Sequence, residues 1–319
     1  MNAVSPPREF AWKDFFRKYN LLFFIAVFTI AASIISPRFL TFQNFANLLQ
    51  QSSVTGIVTV GMTLVILVGG IDLGVGSVLA LAGMVAAVLL EGGYGIFLAI
   101  AAALASGAVL GLFNGYVSAK SGVPSFITTL ATMVAARGLA LLTTDGSPVF
   151  DLPETFQWLG AGFIGSIPVS GLLWIAITVV AALMLKYTTF GRGLYAVGGN
   201  DEAARLSGIR VKRSVIHVFV LSGVLSALAG VVTASWLTVG QPTAGKGMEL
   251  DAIAAAVLGG ASLSGGSGGV IGAFGGVWLL AIITNIFNLA GLSSYYQMIF
   301  KGGIIVAALM LNQFFRTRD

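Results

Sequence analysis

Five stretches of this chain, residues 39–71, 92–119, 155–185, 214–245 and 252–300, contain no Asp, Glu, Lys or Arg. Each is longer than the roughly 20 apolar residues that carry a helix across a bilayer. Of the 319 residues, 9% are charged and 57% hydrophobic, against about a quarter charged in a water-soluble globule. The sequence therefore predicts an all-α integral membrane protein. Its expected spans number about ten and lie near 21–36, 51–70, 73–90, 96–118, 124–144, 166–185, 215–238, 250–263, 270–290 and 296–313. They leave room for two termini, one long loop and short turns, so residues 1–319 read as a single transmembrane domain.

The same inventory removes several chemistries. Cys is absent, which excludes disulfides, thiolate metal sites and cysteine catalysis. His217 is the only histidine, too little for a zinc site, and neither a metal nor another cofactor is expected. The net charge of +5 does not point to nucleic acid, because placement explains it. Assigning alternate sides to the spans puts 13 of the 17 basic residues on one side: four at the N-terminus, Lys120, six in 186–213, and Arg316 with Arg318. By the positive-inside rule that side is the cytoplasm, and both termini lie there. In the cytoplasmic segment 1–20, Arg8, Lys13, Arg17 and Lys18 alternate with Phe10, Trp12, Phe15 and Phe16, the pattern of an amphipathic helix among lipid headgroups. Pro37 and Arg38 follow the first apolar run where small cleavage-site residues would stand, so that run reads as a retained span.

The one long polar stretch inside the chain is the cytoplasmic loop 186–213. Asn200 or Asp201 can cap a helix there, and Glu202 favours its positive N-terminal end. Ala203, Ala204, Arg205 and Leu206 continue the helix until Gly208 stops it. One or two turns are too short to be stable alone, so this helix is expected to dock on another molecule. A competing motif fails. Residues 240–247, GQPTAGKG, match the phosphate-loop pattern until Gly247 replaces the hydroxyl residue that holds magnesium, and they follow a span on the opposite side. If ATP drives this protein, it is hydrolysed elsewhere.

Two glycine-rich segments echo each other: VGGIDLGVGS at 68–77 and LGGASLSGGS at 258–267, matching at Gly69/Gly259 and Gly70/Gly260. Glycine-interrupted helices in corresponding positions point to a midplane transport site, although tight turns between hairpin helices have the same signature. Asp72 sits between two apolar runs, where a carboxylate must be paired, hydrogen-bonded or hydrated. It can accept from the glycine-loop amides or cap the following helix. Arg137 and Lys301 also interrupt apolar runs and are expected to snorkel or to pair with carboxylates. Polar uncharged residues at span depth, including Gln50, Gln51, Asn114, Thr128, Thr129, Thr132, Asn285, Asn288 and Gln297, either line a solute path or join helices. The candidate pathway set is Gly69, Gly70, Asp72, Asn114, Thr129, Gly259, Gly260, Asn285 and Asn288.

The runs VGMTLVILVGGIDLGVGS (60–77), FITTL with ARGL downstream (126–139), TDGSPV (144–149), GRGLYAVGGNDEAARLSGI (191–209), QPTAGKGMELDAIAAAVLGGASLSGG (241–266) and GLSSYYQMI (291–299) resemble those of the ribose and simple-sugar ABC transporter permeases. The likeness covers nearly the whole chain. It implies a multi-pass subunit of the bacterial inner membrane that catalyses no reaction itself and pairs with a second copy to enclose a monosaccharide path. ABC ATPase subunits in the cytoplasm and a periplasmic sugar-binding protein would be its partners. Glu202, Ala203, Ala204 and Gly208 match the EAA---G element of such permeases, so the short docking helix would be the coupling helix, formed by Asn200, Asp201, Glu202, Ala203, Ala204, Arg205, Leu206 and Gly208. Two other readings remain: a secondary transporter or facilitator without an ATPase, for which Asp72, Arg137 and Lys301 make a thin ion relay, and a branched-chain amino-acid permease.

Overall fold

The computed structural model describes residues 12–293, 295–300, 302, 303 and 306, with side chains from residue 21 onward. Residues 1–11 of the expected amphipathic segment, and most of the last expected span with Lys301, lie outside those residues. The described chain runs α1 (Trp12–Ile35), α2 (Phe42–Leu67), α3 (Val75–Glu91), α4 (Ile96–Lys120), α5 (Ser125–Leu142) and α6 (Glu154–Ala161). A small antiparallel hairpin of β1 (Phe163–Ile164) and β2 (Ile167–Pro168) follows. Then come α7 (Val169–Tyr187), α8 (Thr189–Gly199), α9 (Asp201–Leu206), α10 (Val211–Leu237), α11 (Met248–Leu258) and α12 (Val270–Leu289).

Six of these helices, α2, α4, α5, α7, α10 and α12, are long and apolar enough to cross a membrane; α3 and the Leu21–Ile35 part of α1 are shorter apolar helices. The expected span at 250–263 takes a different form. Its helix, α11, has 11 residues and rises about 16 Å, roughly half of a hydrocarbon core of about 30 Å. Positive-φ glycines stop it at both ends: Gly245 and Gly247 before it, Gly260 after it. Hydropathy alone does not see the stop at Gly260, because the turn residues after it, 261–269, are uncharged.

Helix α10 is the hub, packed against α2, α3, α4 and α6. Its contact with α4 is made by a stripe of small residues. A Cβ on Gly107 would lie 2.3 Å from the Gly223 carbonyl oxygen, and one on Gly111 would lie 2.3 Å from that of Phe219. The two backbones touch, which replaces the hydrophobic driving force that lipid cannot supply. Two of the buried clusters centre on Ile57, Met62, Leu79, Trp174 and Ala255 and on Met84, Phe156, Ala227 and Val231. By contrast, α4 and α5 expose most of their apolar surface, including Phe97, Phe113, Phe126 and Val134.

Candidate functional site

The interhelical polar loop is built as its residues dictate. Asn200 leaves α8 in extended conformation, and its side-chain oxygen accepts from the Ala203 N–H at 2.8 Å, capping α9. Two bonds end the helix: Gly208 N–H to the Arg205 oxygen and Ile209 N–H to the Ala204 oxygen, both 3.0 Å, with Gly208 at φ +84°. That six-to-one closure is a Schellman stop. Only Ala204 of the helix is buried; Asp201, Glu202, Ala203, Arg205 and Leu206 are exposed, and Leu206 keeps 79% of its surface accessible. Glu202 accepts a charge-assisted bond from Arg205 at 2.5 Å, which raises the Arg205 pKa above its ordinary value. This six-residue helix thus presents an exposed leucine and an ordered acid–base pair.

Helix α8 joins that surface to the interior. Gly198 lies against the end of α2 and the glycine-rich turn after α11: a Cβ there would sit 1.9 Å from the Leu67 oxygen and 2.4 Å from the Gly266 nitrogen. The Gly266 N–H donates to the Leu67 oxygen at 3.0 Å. Tyr195 adds a bond from its hydroxyl to the Gly268 oxygen at 3.0 Å, and burial raises its pKa. Three backbones therefore meet at one point: α8 and both echoed segments.

Those two segments end their helices alike. After α2, the Gly69 N–H bonds the Ile66 oxygen and the Gly70 N–H the Val65 oxygen, with Gly69 at φ +76°. After α11, the Gly260 N–H bonds the Val257 oxygen and the Ala261 N–H the Ala256 oxygen, with Gly260 at φ +90°. The geometrical equivalent of Gly69 is thus Gly260, one residue out of register with the sequence echo. Gly259 instead allows close packing on Gly272.

Beyond Gly70 the chain passes through a turn into α3 and is held by side chains from α5 and α10. Ser125 Oγ accepts from the Ile71 N–H at 3.0 Å; Thr129 Oγ1 accepts from the Leu73 N–H at 3.0 Å and donates to the Ile71 oxygen at 3.2 Å. Asp72 is buried; it accepts from the Gly74 N–H at 3.0 Å and from Ser222 Oγ of α10 at 2.8 Å. Asn114 is also buried and accepts from Thr132. Asp72, Asn114 and Thr129 thus converge on one knot, whereas Asn285 and Asn288 do not reach it. Asn285 exchanges amide bonds with Asn44, and Asn288 accepts from Gln297. Sequence reading missed Ser125 and Ser222. Ser222 lies 150 residues from Asp72 on an apolar helix, with no local signal.

Arg137 holds the second broken segment. Its Nη1 donates to the Pro242 and Ala244 oxygens at 2.8 Å each, and its Nη2 to the Gly76 oxygen at 3.3 Å, with Glu249 nearby as its countercharge. The false phosphate loop is therefore a turn whose carbonyls are committed to an arginine. Among the described residues no group of His, Cys, Asp and Glu is placed to hold a metal ion.

The model of the family described as branched-chain amino acid transport system / permease component matches residues 44–309. The chain is 44% identical to a ribose import permease protein of Escherichia coli over 97% of its own length and 98% of the relative's. It is 45% identical to the ribose import permease protein of Bacillus subtilis, with 90% of each covered. The L-arabinose transport system permease protein of Escherichia coli is 40% identical over 97% of this chain and 94% of its own. No solved structure matches. With a family match over most of its length and several relatives above 40% identity, the chain belongs to this family of transport-system permease components and is similar within it to the sugar permeases.

Proposed function

We propose that this chain is the membrane permease subunit of an ATP-driven importer for a ribose-type monosaccharide, placed in the bacterial inner membrane with both termini in the cytoplasm and about ten spans. The observation that carries the reading is the capped, exposed helix α9 on a chain whose one phosphate-loop-like segment is occupied by Arg137. Relatives named for ribose and L-arabinose, at 40–45% identity over nearly the full length, favour a sugar over the amino acid in the family's description.

In this mechanism a second copy completes the path. Sugar enters from a periplasmic binding protein, and ATP binding by partner subunits moves Asn200–Gly208. The displacement passes through α8 and Gly198 to the ends of α2 and α11, where both helices are already interrupted, so that rigid pieces move instead of helices bending. The chain makes and breaks no covalent bond. A secondary transporter is disfavoured because Asp72 is bonded to Gly74 and Ser222, and Arg137 to three carbonyls, leaving little for an ion relay.

The test is sugar uptake into proteoliposomes holding the permease with its ATPase and binding protein. Uptake should require ATP, and replacing Glu202 and Gly208 together should abolish it while the permease stays inserted and the ATPase still turns over. Concentrative uptake by the permease alone would refute the reading.

A further inference from the structure

A cavity of about 410 Å³ opens beside the start of α11, lined by Ser77, Met133, Val134, Arg137, Lys246 and Glu249. Its depth matters. Arg137 stands twelve residues along α5 from Ser125, about 18 Å from that end at 1.5 Å per residue, and five residues from Leu142. Val134 and Lys246 are exposed. An exposed ammonium that lines one cavity with a carboxylate is not compatible with lipid and has to face water. We infer that this cavity is a binding station for a neutral monosaccharide on the translocation path, a site that rests on the import reading above and adds its location and recognising groups.

The groups fit a polyol. Glu249 lies against the first turn of α3, its Oε2 at 2.8 Å from where a Cβ on Gly76 would stand. No described residue donates a hydrogen bond to its carboxylate, and Ser77 Oγ and the Lys246 ammonium have no hydrogen-bonding partner among the described residues. An acceptor able to take two adjacent hydroxyls, a hydroxyl and a donor therefore surround one space. Arg137 balances the charge of Glu249 yet spends its donors on Pro242, Ala244 and Gly76, so it does not compete for the carboxylate oxygens. Met133 and Val134 supply an apolar wall for the C–H face of a sugar ring. The cavity's size falls in the range of small-molecule sites, and its open side lets the sugar leave, as a transport station requires.

The complete transporter in proteoliposomes, supplied with D-ribose, tests this. Glu249→Gln should lower the maximal uptake rate about tenfold, the scale of a lost charge-assisted hydrogen bond, with ribose affinity of the binding protein unchanged. The chain has no Cys, so Val134→Cys places one thiol in the cavity. It should react with a small methanethiosulfonate, and saturating ribose under turnover should slow that reaction at least about fivefold. Where Glu249→Gln is not recovered in the membrane, the thiol protection decides alone. Uptake by Glu249→Gln within about twofold of wild type, or labelling indifferent to ribose, overturns the station while leaving the import reading intact. Failure of the wild-type complex to take up any sugar with ATP overturns both.

Discussion

Gly198 and Gly199 are neighbours in α8 with opposite expected responses to one added methyl group. A Cβ on Gly198 would lie 1.9 Å from the Leu67 oxygen and 2.4 Å from the Gly266 nitrogen, about 1.5 Å inside ordinary van der Waals contact. The methyl can be housed only by parting α8 from the end of α2 and the turn bonded to it, or by prising Gly266 from Leu67 and losing their 3.0 Å bond. Overpacking of this kind costs about 1–3 kcal/mol, and the lost hydrogen bond about 1 kcal/mol. A total near 3 kcal/mol corresponds to somewhat more than a hundredfold in any equilibrium that needs the junction closed. A Cβ on Gly199 meets nothing within 4 Å and gains helix propensity of up to about 1 kcal/mol. In proteoliposomes containing the whole transporter, Gly198→Ala should therefore reduce ATP-driven uptake by at least about tenfold. Its ATPase rate should become indifferent to the loaded binding protein, while Gly199→Ala behaves as wild type. Equal uptake by the two variants at equal membrane abundance would show that no force passes through this contact.

Ser222→Ala strips one of the two bonds from the buried Asp72 carboxylate and should lower stability in detergent by about 1–3 kcal/mol, read as an earlier thermal unfolding midpoint. Arg137→Lys keeps the charge but loses the planar fork that spans three carbonyls; loosening of the 241–247 turn should appear as faster proteolysis there, with a loss of about 1–3 kcal/mol. Gly76→Ala would put a Cβ 2.2 Å from the Gly245 oxygen and should impair folding more than Gly95→Ala, which meets nothing within 4 Å, as judged by the fraction of protein that stays monodisperse after extraction.

The membrane class and the capped helix α9 were legible because both depend on neighbours in the chain. Long uncharged runs report the cost of placing charge in lipid. Asn200, Glu202 and Gly208 report a cap, a dipole preference and a left-handed stop within nine residues, and the structure has each of them in that role. Asp72 was recognisable as a buried carboxylate needing partners, and one of the two anticipated kinds of partner, a glycine-loop amide, is present.

What tertiary structure decided depends on residues far apart in sequence. The length of α11 and the one-residue shift between the echoed turns follow from which glycines adopt positive φ, a choice settled by packing against Gly76, Gly198 and Gly272. Ser222 on α10 becomes a carboxylate's partner, and Gly198 a meeting point of three backbones, only once α2, α8 and α10 lie side by side. Apolar periodicity records whether a segment prefers lipid to water. It carries no record of which two polar atoms end up within 3 Å, because that distance is set by the approach of whole helices.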